Sequence, residues 1–468
     1  MSSFWDRPGG QNQHVAGFCA SLGALSLGAS VGWSAPAQYH INNKEDAYGF
    51  AVNLDEFGWI CSLLWLGCSC VIIPIGLLAD YFGRKMTMLV VVLPYLAAWI
   101  LIIFAPNPSM LMVARFFLGV SGGSYIITVP LYCTEIAQLE MKNTLLSFYS
   151  IFFVLGILYA YIAGAFNSLK CLNCACAILP LIFLGTFIWM PESPVYYLLW
   201  DQELEAEESL EWLRQQNVSM ELFNMQLQIE QLQEEHVPFW TAIRQKSTLR
   251  ALMISIGLMF FKNFSGGTAI ITYCTTIHRQ AGVNIGFQPD MSTILVGIFF
   301  VVFSIACVLS LNCARRRPML IFTIFLDVLS NALLALYFHL VHRKESYLDN
   351  LNWMPLFSLC SFISFYALGI GTLTYVIIFE LFSVGFRSLG TGIVCSLFAL
   401  FAFFNTIIFP VIVRIWGDED FFWISMAFSF LAWVFVYFLV PETKGQTPDE
   451  IQDMLKSTQC CVATNSNK

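Results

Sequence analysis

Charged side chains at fixed offsets in an otherwise apolar chain are the first features that could do chemistry. Asp80, Gly83 and Arg84 lie in Asp80-Tyr-Phe-Gly-Arg-Lys, Glu135 and Lys142 stand seven residues apart, and Glu192 follows Pro191. A second set repeats the order: Arg316 and Arg317, then Glu380 and Arg387, then Glu442 after Pro441. The spacing between the sets is roughly 230–250 residues, as expected of parallel structural repeats. Oppositely charged helix ends can pair and part, so the set reads as a two-state lock that biases an equilibrium by a few kcal/mol. The plainer reading, basic residues anchoring helix ends at a membrane surface, suits Lys85. Nothing points to an enzyme, since no GxSxG in a hydrolase context, Walker sequence or HExxH occurs.

A second group lies inside the apolar runs. Lys262 and Asp327 are mid-run charges, and Ser150, Asn263, Ser265, Thr268, Thr272, Thr372, Thr374 and Tyr375 bring hydroxyls and an amide. A charge at mid-membrane costs roughly 2.5–3.5 kcal/mol on insertion scales. Lys262 therefore reads as facing a wet cavity, or else as paired with Asp327; a cavity-facing ammonium would suit an anionic solute.

The elements that must position these groups follow from composition. The chain has 468 residues, 57% hydrophobic and 12% charged, with a mean hydropathy of +0.69. Soluble domains carry about twice that charged fraction. Apolar runs of spanning length lie at about 14–36, 57–79, 86–105, 110–133, 143–165, 171–190, 251–275, 290–311, 318–341, 353–379, 388–412 and 421–440. Continuous rather than alternating runs exclude a β-barrel. The expected architecture is all-α, with a six-helix half over 1–190, a helical linker over 191–250, a second six-helix half over 251–440 and a tail over 441–468. Over 201–236 in the linker, Leu210, Leu213, Leu222, Met225, Ile229 and Leu232 recur at helical spacing, which predicts two or three short amphipathic helices.

Basic residues favour the linker side: Arg84, Lys85, Lys142, Arg315–Arg317, Arg387 and Lys444, against Lys44, Arg279, Arg343, Lys344 and Arg414 opposite. This places both termini and the linker in the cytoplasm. No cleavable leader is legible, and the first run reads as a signal-anchor span. Asn217, a glycosylation sequon, would then be cytoplasmic. The net charge of −8 is thinly spread and does not suggest nucleic acid. Most of the fifteen cysteines lie in apolar runs as small hydrophobes, and Cys171, Cys174 and Cys176 lack zinc-finger partners. No metal or cofactor is expected. Cys460 and Cys461 are candidate palmitoylation sites. The oligomeric state is not legible.

Several stretches carry a family resemblance: Leu27-Gly-Ala-Ser-Val-Gly-Trp-Ser-Ala-Pro, Ala79-Asp-Tyr-Phe-Gly-Arg-Lys, Arg115-Phe-Phe-Leu-Gly, Val129-Pro-Leu-Tyr-Cys-Thr-Glu-Ile, Pro191-Glu-Ser-Pro, Glu380-Leu-Phe-Ser and Pro441-Glu-Thr-Lys-Gly. Together the chain resembles the sugar porter family of the major facilitator superfamily, in its insect facilitated-trehalose-transporter branch. The resemblance implies a major facilitator fold, a small solute, most simply a hexose or trehalose-like sugar, and alternating access at a cell membrane. It places Ser150, Lys262, Asn263, Thr268, Thr372 and Tyr375 at solute-contacting positions and the paired charges at a cytoplasmic gate.

The chain departs from the pattern where solute would bind. Lys262 and Asn263 replace paired glutamines, Thr268 an asparagine, Ser150 a glutamine and Tyr375 a tryptophan, while Phe300 stands where an amide is usual. In the second repeat, Asn312 replaces an acid and Arg315 a glycine. Span 10 has lost its prolines, which should stiffen it. Gly28-Ala-Ser-Val-Gly lacks the acid of the proton-coupled members, which favours facilitated diffusion. A non-transporting nutrient sensor and an organic-anion carrier are the competing readings. If the topology is right, tags at residues 1, 217 and 468 are protected from external protease in intact cells; digestion of any one from outside contradicts it.

Overall fold

In the computed structural model, the described residues are 10–42, 48–138, 140–166, 168–216, 218–234, 239–282, 289–311, 313–343, 351–383 and 386–456. Lys44, Asn217, Asn312, Lys344, Cys460 and Cys461 lie outside them. Among the described residues the structure is helical, without strands. Twelve helices are long and apolar enough to cross a membrane: spans 1 to 6 are Gln11–Gly32, Leu54–Phe82, Arg84–Ile103, Pro108–Ile136, Lys142–Gly164 and Leu169–Phe187. Spans 7 to 12 are Lys246–Gln280, Pro289–Ser310, Arg316–His342, Met354–Leu381, Arg387–Ile415 and Asp418–Leu439. Between the two sets lie four shorter helices, Pro194–Leu199, Glu203–Arg214, Ser219–Glu234 and Phe239–Arg244; the middle two lie within the amphipathic stretch 201–236, for which two or three helices are expected.

Local chemistry sets the helix ends. Gly83 separates spans 2 and 3 at φ 92°, a conformation that only glycine adopts without strain. Asn107 caps span 4 by accepting from the Met110 amide at 2.9 Å, and Pro108 takes the first helical position. Leu77, Leu93, Phe104, Trp189 and Leu309 point outward, as lipid-facing side chains do. Trp33, just past the end of span 1, is a buried strut donating to Asn173 Oδ1 at 2.7 Å.

Inside each half, glycines let backbones touch. Gly28 of span 1 faces the backbone of Phe153 and Gly156 in span 5, and Gly119 of span 4 lies against the Leu64 backbone in span 2. Small residues supply such contacts in lipid, where helix association rests on close packing. Between the halves, span 2 packs on span 11 and span 5 on span 8. Spans 8 and 11 repeat spans 2 and 5, so the two contacts are the same one related by the internal repeat. The linker docks under the first half. Arg214 donates to Ile136 O at 2.9 Å and pairs with Glu221 at 2.8 Å, and Asn12 of span 1 donates to Trp212 O at 2.6 Å.

Spans 7 and 10 are broken. Span 7 divides into Lys246–Phe264 and Gly267–Gln280 across Gly266, at φ 100°. Span 10 divides into Met354–Leu368 and Leu373–Leu381, which corrects the expectation that loss of its prolines stiffens it. Gly369 and Gly371 are enough: the Gly371 amide donates to Tyr366 O at 2.7 Å instead of continuing the helical ladder.

Two glycines separate packing from propensity. A Cβ at residue 119 must displace the Leu64 backbone, whereas a Cβ at residue 76 on span 2 meets nothing within 4 Å; the contrast is drawn by Gly119→Ala and Gly76→Ala. The first is expected to destabilise the protein by about 1–3 kcal/mol or more, seen as a lower Tm in detergent, and the second to leave Tm unchanged or raised. Equal Tm values for the two variants would contradict this packing.

Candidate functional site

The charges at the linker face form one cluster in each half. Arg84 lies 2.8 Å from Glu135 and 3.1 Å from Asp80 and donates to Ala79 O at 3.1 Å. Ser193 Oγ donates to the other oxygen of Glu135. Glu192 accepts the backbone N–H groups of Arg84 and Lys85 at 3.0 and 2.9 Å. Its carboxylate thus caps the start of span 3, where unpaired amides and the helix dipole favour an anion. A Cβ on Gly83 would press on that carboxylate.

The second half repeats the device. Arg316 pairs with Glu380, and Glu442 accepts the backbone N–H groups of Arg316 and Arg317 at 3.1 and 3.2 Å, capping span 9. Arg317 donates to Tyr437 O at 2.6 Å. The carboxylate partners of Arg84 and of Arg316 therefore each lie in the cation's own half. Arg387 stays apart from Arg316: it donates to Phe382 O at 3.4 Å and lies 4.8 Å from the Phe379 ring. Lys142 approaches the same ring from the first half, at 5.9 Å.

A cavity lies between the halves. Ser150, Lys262, Thr268, Thr372 and Tyr375 all line it, with Phe300 and other aromatic and aliphatic side chains. Asn263 does not. It is fully buried, donates to Met259 O at 3.0 Å and Phe398 O at 3.3 Å, and accepts from the Thr268 hydroxyl at 2.7 Å. Thr272, Thr374 and Ser265 bond back to their own helices.

Lys262 spans the two helix breaks. Its ammonium donates to Gly371 O at 2.6 Å and lies 3.8 Å from the centre of the Tyr375 ring and 5.1 Å from that of Phe398. The broken backbone of span 10 exposes a carbonyl, and the lysine of span 7 takes it. Asp327 is not its partner: both carboxylate oxygens are buried without a hydrogen-bond partner among the described residues.

On the face opposite the linker the halves touch through polar groups. Asp55 pairs with Arg414, Thr276 donates to Gln38, and the Arg279 guanidinium lies 3.1 Å from the Tyr39 ring centre. Tyr161 donates to Ile271 O at 2.7 Å.

Sequence reasoning gave no site role to Tyr366, Phe398 or Trp65, which line the cavity. Single aromatics in apolar spans carry no signal separating a rim from a core. Arg115 did carry one, as a charge within span 4. It is buried, donating to Ser30 O at 2.5 Å and Ser34 Oγ at 2.8 Å, and so ties spans 1 and 4 together.

This arrangement has known counterparts. A profile described as "Sugar (and other) transporter" matches residues 16–455. The chain is similar to the facilitated trehalose transporter Tret1 of Apis mellifera ligustica, with 28% identity over 94% of this chain and 87% of that one. It is also similar to solute carrier family 2, facilitated glucose transporter member 8, of Bos taurus, with 29% identity over 95% of this chain and 94% of that one. In fold it is similar to the partially occluded inward open conformation of the xylose transporter XylE from E. coli. That match has a TM-score of 0.78 and 18% identity over 93% of this chain and 100% of that one. With twelve candidate spans in two repeats of six, a cavity between the halves and a profile match along nearly its whole length, the chain belongs to the sugar (and other) transporter family and has the major facilitator fold.

Proposed function

We propose that the protein carries a sugar, hexose or trehalose-like, across a cell membrane by facilitated diffusion with alternating access. The observation that carries this reading is the cavity lined by both halves, with Ser150 from span 5 facing Lys262, Thr268, Thr372 and Tyr375 from spans 7 and 10. The relatives named for trehalose and glucose transport support the solute class. The absence of an acid in Gly28-Ala-Ser-Val-Gly of span 1 supports uncoupled transport.

In this reading residues 1–190 and 251–440 rock against each other, 191–250 is a cytoplasmic linker, and 441–468 is a cytoplasmic tail. Ser150, Lys262, Thr268, Thr372 and Tyr375 contact solute, and Asn263 acts by holding the Thr268 hydroxyl. Asp80, Gly83, Arg84, Glu135, Lys142 and Glu192, with Arg316, Arg317, Glu380, Arg387 and Glu442, form the cytoplasmic gate. Contacts inside each half keep the ends rigid. The contacts at the opposite face, including Asp55–Arg414, are those that break when the cavity opens outward.

The protein in liposomes is expected to take up labelled glucose or trehalose saturably with no ion gradient. Failure to move either, or an absolute need for a proton gradient, would overturn the reading. Arg84→Ala and Glu380→Ala are each expected to lower turnover about ten-fold at normal membrane abundance, the effect of shifting a two-state equilibrium by a kcal/mol or two. Parental turnover in both variants would reduce these charges to anchors.

A further inference from the structure

Lys262 places an amine at the cavity wall with no acid beside it. Its side chain is 4% exposed, yet it lines the cavity. An ammonium has three donors. The Gly371 carbonyl takes one, and the faces of Tyr375 and Phe398 attract the charge without neutralising it. Among the described residues no carboxylate lies within ion-pair distance of Lys262. Asp327 neither pairs with it nor lines the cavity. Arg115, a buried cation of span 4, is bonded to Ser30 and Ser34 and does not line the cavity.

Two further cations lie where the halves meet near the linker face. Lys142 and Arg387 converge on the Phe379 ring from opposite halves, and paired cations at a surface raise the local concentration of anions. Around the ammonium, Ser150, Thr372 and Tyr375 offer hydroxyls at the lining. The Thr268 hydroxyl has committed its proton to Asn263 and can only accept.

We infer that the cavity takes a sugar bearing one carboxylate, with the carboxylate on Lys262 and the sugar hydroxyls on Ser150, Thr268, Thr372 and Tyr375. This rests on the sugar-transport reading and narrows it. A carboxylate supplies the counter-charge that the site lacks, and a charge-assisted pair is stronger than a neutral hydrogen bond. A purely apolar anion would leave the hydroxyls without partners, which selects against it.

The test uses the full chain in proteoliposomes, with labelled D-glucuronate and labelled D-glucose as probes. Glucuronate uptake should be saturable, accelerated by an inside-positive potential, and competed by D-galacturonate far better than by benzoate. Lys262→Gln should lower kcat/KM for glucuronate about ten-fold or more relative to glucose, and Lys262→Arg should retain most of it. The competition measurements on the unaltered chain need no variant to fold. Glucose uptake without glucuronate uptake would overturn the inference and leave the sugar reading standing. So would competition by benzoate as strong as by galacturonate, or an unchanged glucuronate-to-glucose ratio in Lys262→Gln. Uptake of neither probe by the unaltered chain would overturn the inference, and would overturn the sugar reading as well if labelled trehalose is not taken up either.

Discussion

A charge inside a hydrocarbon slab must be held by something other than bulk water, and the rest of this structure follows from how each charge is held. At the linker face the answer is a carboxylate placed over a helix start. Glu192 caps span 3 and Glu442 caps span 9 through backbone amides. Such placements contribute about 0.3–1 kcal/mol at a surface and up to about 2 kcal/mol when partly buried. Each also fastens the chain just after a six-helix half to the third helix of that half. The arginines then close on acids of their own half, Arg84 on Glu135 and Arg316 on Glu380. Each half therefore satisfies these charges by itself. Between the halves, beside the packing of span 2 on span 11 and span 5 on span 8, the polar contacts are an exposed ion pair, a few hydrogen bonds and a shared aromatic ring.

The same constraint organises the cavity. Unwound backbone at membrane depth is tolerated where protein or a cavity satisfies it. Spans 7 and 10 both break there, and the lysine of one takes the Gly371 carbonyl freed by the other. The charge and the break thus solve each other's problem, and the ammonium ends at the cavity wall. Tyr375 serves twice, as a face for the ammonium and as part of the lining.

Much of this was legible in sequence, for physical reasons. A run long enough to cross a membrane is a one-dimensional signal, so the twelve spans could be read directly. The repeat was legible because the acid caps and basic helix starts recur in order, Arg84 with Arg316 and Glu192 with Glu442. What escaped was orientation and competition between local rules. Asn263 and Lys262 are adjacent in sequence, yet on a helix adjacent residues face about 100° apart, and only Lys262 reaches the cavity. Losing prolines argued for a straighter span 10, but Gly369 and Gly371 outweigh that loss. Asp327 looked like a partner for Lys262 because both are mid-span charges; depth along the membrane says nothing about distance across it.

In the proposed cycle the halves move as units and exchange their contacts at the face opposite the linker. Gln38 and Thr276 lie in different halves and touch there. Cysteines at these two positions, oxidised to a disulfide in membranes, should hold that face shut: transport should fall to background and return on reduction. Transport at the uncrosslinked rate by fully crosslinked protein would contradict alternating access by rocking halves.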